Sequence, residues 1–416
     1  MPLFRPIHHT FAPHVGAAQM MHALALLAQP WKWKDGTERE ALRCALARQY
    51  SADVFLFASG REALVGLLKA LKGPERAEVI VQAFTCLVVP NAILAAGKVP
   101  VYADIGPDTL NLDPADVERR ITPRTQAIIC QHTFGIPADT HRLRALCDRY
   151  EILLIEDCAH MMPDKHGPTT VAKDGDAILF SFGRDKAVSG ITGGAMLSRR
   201  PGLSVQLQAE EGRATSLSLL HIKRLLLYPF VYAIARPLYG MGIGKVLLIL
   251  ARTVGALVPI LTSAEKQGTM SPTLHKLPNA CAALALTGFQ RLTAINDHRR
   301  ALTTYYFAEA AQRHWTFPKA IHPDLPLQKF PLFMKNAEGI RRALKKQNIH
   351  LQDGWSGCTI CPPGSPQESV CYTPASNPVA ESSATMILSL PTHPTMTEGQ
   401  AHALAERLDI LLKQTI

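Results

Sequence analysis

Lys186 stands five residues after Ser181 in the stretch "LFSFGRDKAVSGITGGAM", between an aromatic-rich apolar run and a turn holding Gly190, Gly193 and Gly194. A lysine amine can form a Schiff base with a carbonyl compound, and a serine hydroxyl one short loop away suits a phosphate. Taken alone, Lys186 has a plainer reading as a solvated surface charge, so its neighbours must decide. The run "ILLIE" ends at Asp157, followed by Cys158, Ala159 and His160. An acid at the end of so apolar a run needs a cation or a hydrogen-bond donor. A protonated pyridine nitrogen would serve, and so would the free N–H groups of a following helix for which Asp157 were the N-cap. The run "VFLFA" ends at Ser59, Gly60 and Arg61, which open "EALVGLLKAL". That turn is either a phosphate seat at a helix N-terminus, with Arg61 adding a charged fork, or a plain N-cap beside a solvated arginine.

The three sets gain meaning together. A phosphate seat, a carboxylate for a ring nitrogen and a lysine for a carbonyl carbon, in that chain order, make a site for pyridoxal 5'-phosphate. The glycines at 190, 193 and 194 would let the backbone pass close to the cofactor. The elements that must position these residues are legible between Val54 and Met196, where short apolar runs alternate with helical stretches: "VFLFASGREALVGLLKAL", "EVIVQAFTCLVVPNAILAAG", "VPVYADI", "TQAIICQHTFG", "ILLIEDCAH". The pattern predicts an α/β fold with a sheet covered on both faces, whose ligands bind beyond the carboxyl ends of the strands.

The bulk properties fit an enzyme of this kind. At 416 residues the chain exceeds one ordinary core, which suggests two structural parts. The opening "MPLFRPIHHTFAPHVGAAQMM" lacks the unbroken apolar core of a secretion signal, and nine scattered cysteines suit a reducing compartment, so a cytoplasmic location is expected. Cys358 and Cys361 form a C-x-x-C without a second ligand pair, which argues against a metal. The net charge of +10 is unevenly spread: Ser216 to Gly268 holds six basic residues (Lys223, Arg224, Arg236, Lys245, Arg252, Lys266) and one acid, Glu265. These cations are interleaved with leucine and isoleucine, which argues against nucleic acid. The apolar runs there are interrupted at Pro229, Arg236, Pro237, Gly240, Gly242, Gly244 and Arg252, and are too short to span a bilayer. Such a helical pair either lies in the interface of an anionic membrane or packs on the protein or across a dimer.

The chain resembles the DegT/StrS-type sugar aminotransferases. The resemblance is carried by "VPVYADIGPDTLNLDPADVERRITPRTQAII", "HTFGIPAD", "LLIEDCAH", "FSFGRDK", "GGAM", "LPNACAALALTGFQRLTAINDHRR" and "ILSLPTHPTMTE". It implies the aspartate-aminotransferase fold (fold type I), with a three-layer α/β/α large domain, a smaller C-terminal α+β domain and, in this chain, an apolar helical insertion. The expected divisions are an N-terminal segment 1–50, a cofactor-binding domain 51–215, the insertion 216–268 and a C-terminal domain 269–416. The resemblance further implies that Lys186 holds pyridoxal phosphate, that Asp157 pairs with its ring nitrogen, and that Ser181 and the Ser59-Gly60-Arg61 turn hold its phosphate. It implies a homodimer with the site at the subunit interface, an amino-acid donor such as L-glutamate, and a keto-sugar acceptor, nucleotide- or lipid-linked, in cell-surface polysaccharide synthesis. Relatives that dehydrate sugars carry a histidine in place of the lysine, so Lys186 favours transamination.

Several positions depart from the family pattern. Arg61 stands where a threonine is frequent, and Cys86 where an aromatic stacks on the cofactor ring; His160, in place of a common glutamine, is either the group that stacks there or a buried histidine hydrogen-bonded within its own turn. Leu274, His275, Lys276 and Leu277 replace an Asn-x-Arg-Met contribution from the partner subunit, and the histidine-bearing C-terminal loop is unrecognisable around "LQDGWSGCTICPPG". These departures leave open a second class of function, a membrane-surface binding or scaffold protein on a degenerate enzyme fold, which absence of a bound chromophore would favour.

Overall fold

The computed structural model describes residues 6–9, 13–71, 73, 75–167, 170–352 and 354–415. Its centre is a seven-stranded sheet: β1 (Asp53–Phe57), β2 (Glu78–Gln82), β3 (Val99–Ala103), β4 (Thr125–Gln131), β5 (Leu153–Asp157), β6 (Ala177–Ser181) and β7 (Gly194–Ser198), in spatial order β1-β7-β6-β5-β4-β2-β3. All neighbours are parallel except β7, which runs antiparallel to both β1 and β6. The strands read as continuous apolar runs because helices cover both faces, as predicted.

Register brings the carboxyl ends together. Gln131 pairs with Asp157, Asp157 with Leu179, and Gly194 with both Ser181 and Phe57. Asp157, Ser181 and the turn after β1 therefore lie along one edge of the sheet. Helix α1 (Gly60–Ala70) starts from that turn with Ser59 as N-cap, its hydroxyl accepting from Glu62 N at 3.2 Å.

Beside a smaller core built around Ile80, Ile128, Leu143 and Leu154, two large apolar cores fill the molecule. One joins α1 and one side of the sheet to the C-terminal part, which contains an antiparallel pair, β8 (Lys329–Phe333) with β9 (Ile387–Pro391). The other joins the opposite side of the sheet to Leu26, Leu42 and Leu46 from the N-terminal helices and to α4 (Asn279–Phe289). The expected C-terminal boundary at 269 thus falls ahead of a helix whose buried residues share a core with Phe180. Two short parallel ladders, Ile7–His8 with Ile349–His350 and Thr85–Cys86 with Ile360–Cys361, cross between the N-terminal and C-terminal regions.

The apolar basic segment folds as α2 (Leu219–Ala235) and α3 (Ile243–Thr253). Pro229, expected to break the first run, lies buried inside α2, where it forgoes one backbone hydrogen bond without ending the helix. The break falls at Arg236–Gly242 instead, with Gly242 at φ +82° opening α3. Among the described residues no helix is long and apolar enough to cross a membrane.

Candidate functional site

The turn after β1 supplies a cradle. A Cβ placed on Gly60 would lie 3.1 Å from Ser181 Cβ and 3.2 Å from its Oγ, so the Ser181 hydroxyl sits against the first residue of α1. A Cβ on Gly194 would come within 2.5 Å of both Gly60 N and Cα, so only glycine lets β7 pass this helix start. Backbone N–H groups at the helix start, the positive end of its dipole and a serine hydroxyl thus converge, and together they suit a phosphate. The glycines otherwise meet protein: a Cβ on Gly190 would reach Cys281 O at 2.7 Å, and one on Gly193 would reach Leu277 Cδ1 at 2.8 Å. The close approach expected towards a cofactor is, at these positions, an approach of one segment to another.

Arg61 departs from its expected role. Its guanidinium pairs with Glu265 and donates to Ile260 O at 2.6 Å, so it ties the start of α1 to the segment after α3. Glu265 is held below the ordinary carboxylate range: burial would raise it, but Arg61 and the Thr262 N–H outweigh that effect. Ser59, Gly60 and Ser181 remain the groups whose geometry suits a phosphate.

Asp157 ends β5 with 4% of its surface exposed. Burial pushes its carboxyl above the ordinary range, against the Ala159 N–H that donates to Oδ1 at 2.9 Å and the positive charge of Lys186. No helix follows, so the N-cap reading gives way to a buried carboxylate suited to a cationic ring nitrogen. Lys186 lies in the turn after β6, its side chain 18% exposed, with Nζ 3.9 Å from Asp185 Oδ1. Burial works to raise the Asp185 carboxyl, but Lys186, His14 and Lys329 hold it well below the usual range.

His160 is buried, and its Nδ1 accepts the Phe134 N–H at 3.1 Å, which leaves the ring proton on Nε2. Burial, with Lys186 and Lys329 nearby, keeps this imidazole neutral, well below its ordinary value. Its ring stacks on Phe134 (5.8 Å, 14°) and meets Trp355 edge-on (5.1 Å, 70°). Cys86 is half-buried on its short strand, its thiol pushed up by burial with Lys186 acting the other way.

Sequence reasoning missed several groups around these. Phe134 holds a left-handed φ of +55°, unusual for an aromatic residue. Lys329 Nζ lies 5.0 Å from the Phe134 ring centre and 5.4 Å from that of Trp355. Gln328 Nε2 donates to Asp185 O at 3.1 Å, and Gln328 N donates to Phe134 O at 2.7 Å. Arg299 is fully buried, brought down to about 10 by burial against the pull of Asp185, and its three guanidinium nitrogens find no hydrogen-bond partner among the described residues. The left-handed aromatic could have been suspected from "HTFG"; the others reach the site from distant segments.

Leu274–Leu277 runs along the outer edge of β1: Ala58 N donates to His275 O at 2.8 Å, and His275 N donates to Glu62. Below Asp157, ligand atoms of His132, Glu156 and Cys158 lie within 4.8 Å of one another. His132 Nε2 and Glu156 Oε2 bond each other at 3.0 Å, and Glu156 also accepts from Ala172 N and Gly175 N. This group braces the strand ends.

The residues present fit pyridoxal phosphate: a cradle for its phosphate, a carboxylate for its ring nitrogen and a half-enclosed lysine for its carbonyl carbon. A model of the DegT/DnrJ/EryC1/StrS aminotransferase family matches residues 15–210 and 262–409, leaving out the stretch that holds α2 and α3. An L-glutamine:2-deoxy-scyllo-inosose aminotransferase of Streptomyces kanamyceticus is 32% identical over 182 residues, 44% of this chain. That alignment spans 43% of the relative, less than half its length. The erythromycin biosynthesis sensory transduction protein EryC1 of Saccharopolyspora erythraea is 27% identical over 390 residues, 91% of this chain and 92% of the relative. NtdA from Bacillus subtilis, crystallised with PMP, superposes with a TM-score of 0.75 at 21% identity, covering 99% of this chain and 86% of that one. Helicobacter pylori PseC, an aminotransferase of pseudoaminic acid biosynthesis, gives 0.75 at 16% identity, covering 99% and 100%. At these identities the solved structures establish the fold type. By the match to the family model, the chain belongs to the DegT/DnrJ/EryC1/StrS aminotransferase family of enzymes, whose cofactor is pyridoxal 5'-phosphate.

Proposed function

We propose that this chain moves an amino group from an amino acid, L-glutamate by preference, to the carbonyl carbon of a nucleotide- or lipid-linked keto-sugar in cell-surface polysaccharide synthesis. The observation that carries the reading is the placing of Lys186, buried Asp157 and the Ser181–Gly60 cradle at one edge of the sheet. Pyridoxal phosphate, when bound, supplies an electron sink for the carbon that loses its proton. Asp157 keeps the ring nitrogen protonated, because a carboxylate buried this deeply favours a cation beside it. Ser181 and the start of α1 hold the phosphate. Lys186 would be the covalent anchor for the cofactor's carbonyl carbon, and its Nζ, when free, would be the base placed to take up and return the donor's α-proton. In the net exchange the donor, with one water, would become its 2-oxo acid, and its amino group would replace the carbonyl oxygen of the keto-sugar with release of one water.

The cations Lys329 and Arg299, which both act on His160, suit the carboxylates of an amino-acid donor. Phe134 and Trp355 form an aromatic wall beside His160 that limits water. A homodimer with shared sites is part of the reading. The test is release of 2-oxoglutarate from L-glutamate by protein supplied with pyridoxal phosphate. Wild type should release about one equivalent per site without an acceptor, and Lys186→Ala should lose more than ~1000-fold in rate. Unchanged turnover in Lys186→Ala would overturn the mechanism.

A further inference from the structure

The outer surface of α3 lacks the cover that its composition calls for. Gly244, Leu248 and Ala251 pack inward towards α2. On the other side Ile243, Val246, Ile249, Leu250 and Val254 are between 55% and 74% exposed, and Met241 just before the helix is 66% exposed. At about 100° per residue these five residues form one arc of roughly 140°, opposite the buried side. A helix apolar on both sides normally has both sides buried. Isolated exposed hydrophobes need no explanation, but a continuous stripe of them marks an interaction surface.

Charge identifies the occupant. Lys245 and Arg252 border the stripe along one side and are exposed. Lys223, Arg224 and Arg236 lie on the same helical pair, and no Asp or Glu occurs from residue 216 to residue 264. Two copies meeting through this face would oppose cation to cation across a two-fold axis. A protein partner would have to be both apolar and acidic over the same area. An anionic lipid leaflet offers acyl chains for the stripe and phosphates for its basic border. Neither helix is long and apolar enough to span, so the arrangement suits lying in the interface.

We infer that the exposed face of α3, with Lys245 and Arg252 at its border, docks on the surface of an anionic phospholipid membrane. The docking stands independently of the transamination reading, because its evidence lies outside the site. Arg61 joins the two regions: it ties the start of α1 to Ile260 and Glu265, just beyond α3, so the docked segment is fixed to the phosphate cradle.

The experiment is co-sedimentation of the full-length chain with phosphatidylcholine vesicles, with and without added phosphatidylglycerol, at low and high salt, alongside light scattering of the free protein. Wild type should sediment with the anionic vesicles at low salt and remain in solution with pure phosphatidylcholine. Ile249→Asp combined with Leu250→Asp should abolish sedimentation, and Lys245→Gln combined with Arg252→Gln should weaken it roughly tenfold or more. Circular dichroism and uptake of pyridoxal phosphate should be unchanged in both variants, which separates lost docking from lost folding. Wild-type protein that stays in solution with anionic vesicles overturns the proposal. So does an Ile249→Asp/Leu250→Asp variant that halves the mass in light scattering, because the face would then join two copies of the chain.

Discussion

Lys186 and Lys245 both stand in apolar surroundings, and the molecule treats them in opposite ways. Around Lys186 the chain supplies opposing charge of its own: Asp157 and Asp185 carry the opposite sign, and burial keeps His160 and His14 neutral. Around Lys245 the answer is slighter: its Nζ lies 5.1 Å from the Tyr239 ring, residues 216 to 264 contain no acid, and the neighbouring apolar side chains face outward. A closed site must balance its charge internally, because an unmatched ion in a low-dielectric interior is costly. A surface that leaves its charge and its apolar area unmatched is complete only against something outside the molecule.

Four measurements probe that contrast. The largest effect should come from Asp157→Asn, which keeps the shape of the side chain but cannot hold the ring nitrogen's proton: the rate of 2-oxoglutarate release should fall about 100- to 1000-fold. Because burial raises the Asp157 carboxyl, its ionised form opposes folding, and any stability it lends is lost as pH rises through its folded value. The cofactor-free Asn variant should therefore be no less stable than wild type at neutral and alkaline pH, so lost activity and retained melting temperature are expected together.

The next effect concerns histidines buried beside the site. Burial brings the His393 imidazole down to about 4, against about 6.5 in an unfolded chain. As pH falls the unfolded chain takes up this proton first, so the stability involved is complete above about pH 6.5 and is lost progressively towards about pH 4. Thermal melts should give His393→Gln a flatter pH dependence than wild type, the difference reaching roughly 3 kcal/mol. A parallel pair of curves would remove the histidine from the acid limb.

Adjacent arginines on the helix Leu292–Gln312 provide a smaller contrast. Arg300 holds Asp164 with two bonds and Asp297 with a third, and Arg300→Met should cost about 2 kcal/mol in denaturant unfolding. Arg299 makes no such bonds, so Arg299→Met should change stability by less than ~1 kcal/mol. A large loss there would mean that its attraction to Asp185 matters more than the absence of hydrogen bonds suggests. The smallest effect should be Ile249→Asp, within ~0.5 kcal/mol of wild type, because the residue is already exposed.

What could be read from the sequence was what depends on neighbours along the chain. Asp157, Ser181 and Lys186 were identifiable because each ends or follows an apolar strand, and parallel register then carries them to one edge. Arg61 could not be placed this way, since its acidic partner is 204 residues distant. Phe134 lies within "HTFG" with no local mark of its role, and its left-handed backbone emerges from the turn it makes. Trp355, Lys329 and Arg299 enter from C-terminal segments with no local signature of the site. Pro229 misled because a proline usually ends a helix, and here burial against the body outweighs the lost backbone bond.

The two hydrogen bonds donated by Gln328 have a mechanical meaning. Its backbone N–H holds the carbonyl of Phe134, and its side chain holds the carbonyl of Asp185, immediately before β8 begins at Lys329. The C-terminal sheet is therefore coupled like a crank to both the aromatic wall and the residue next to Lys186. Through these two bonds a displacement of that sheet would be felt both at Phe134 and in the turn that carries Lys186.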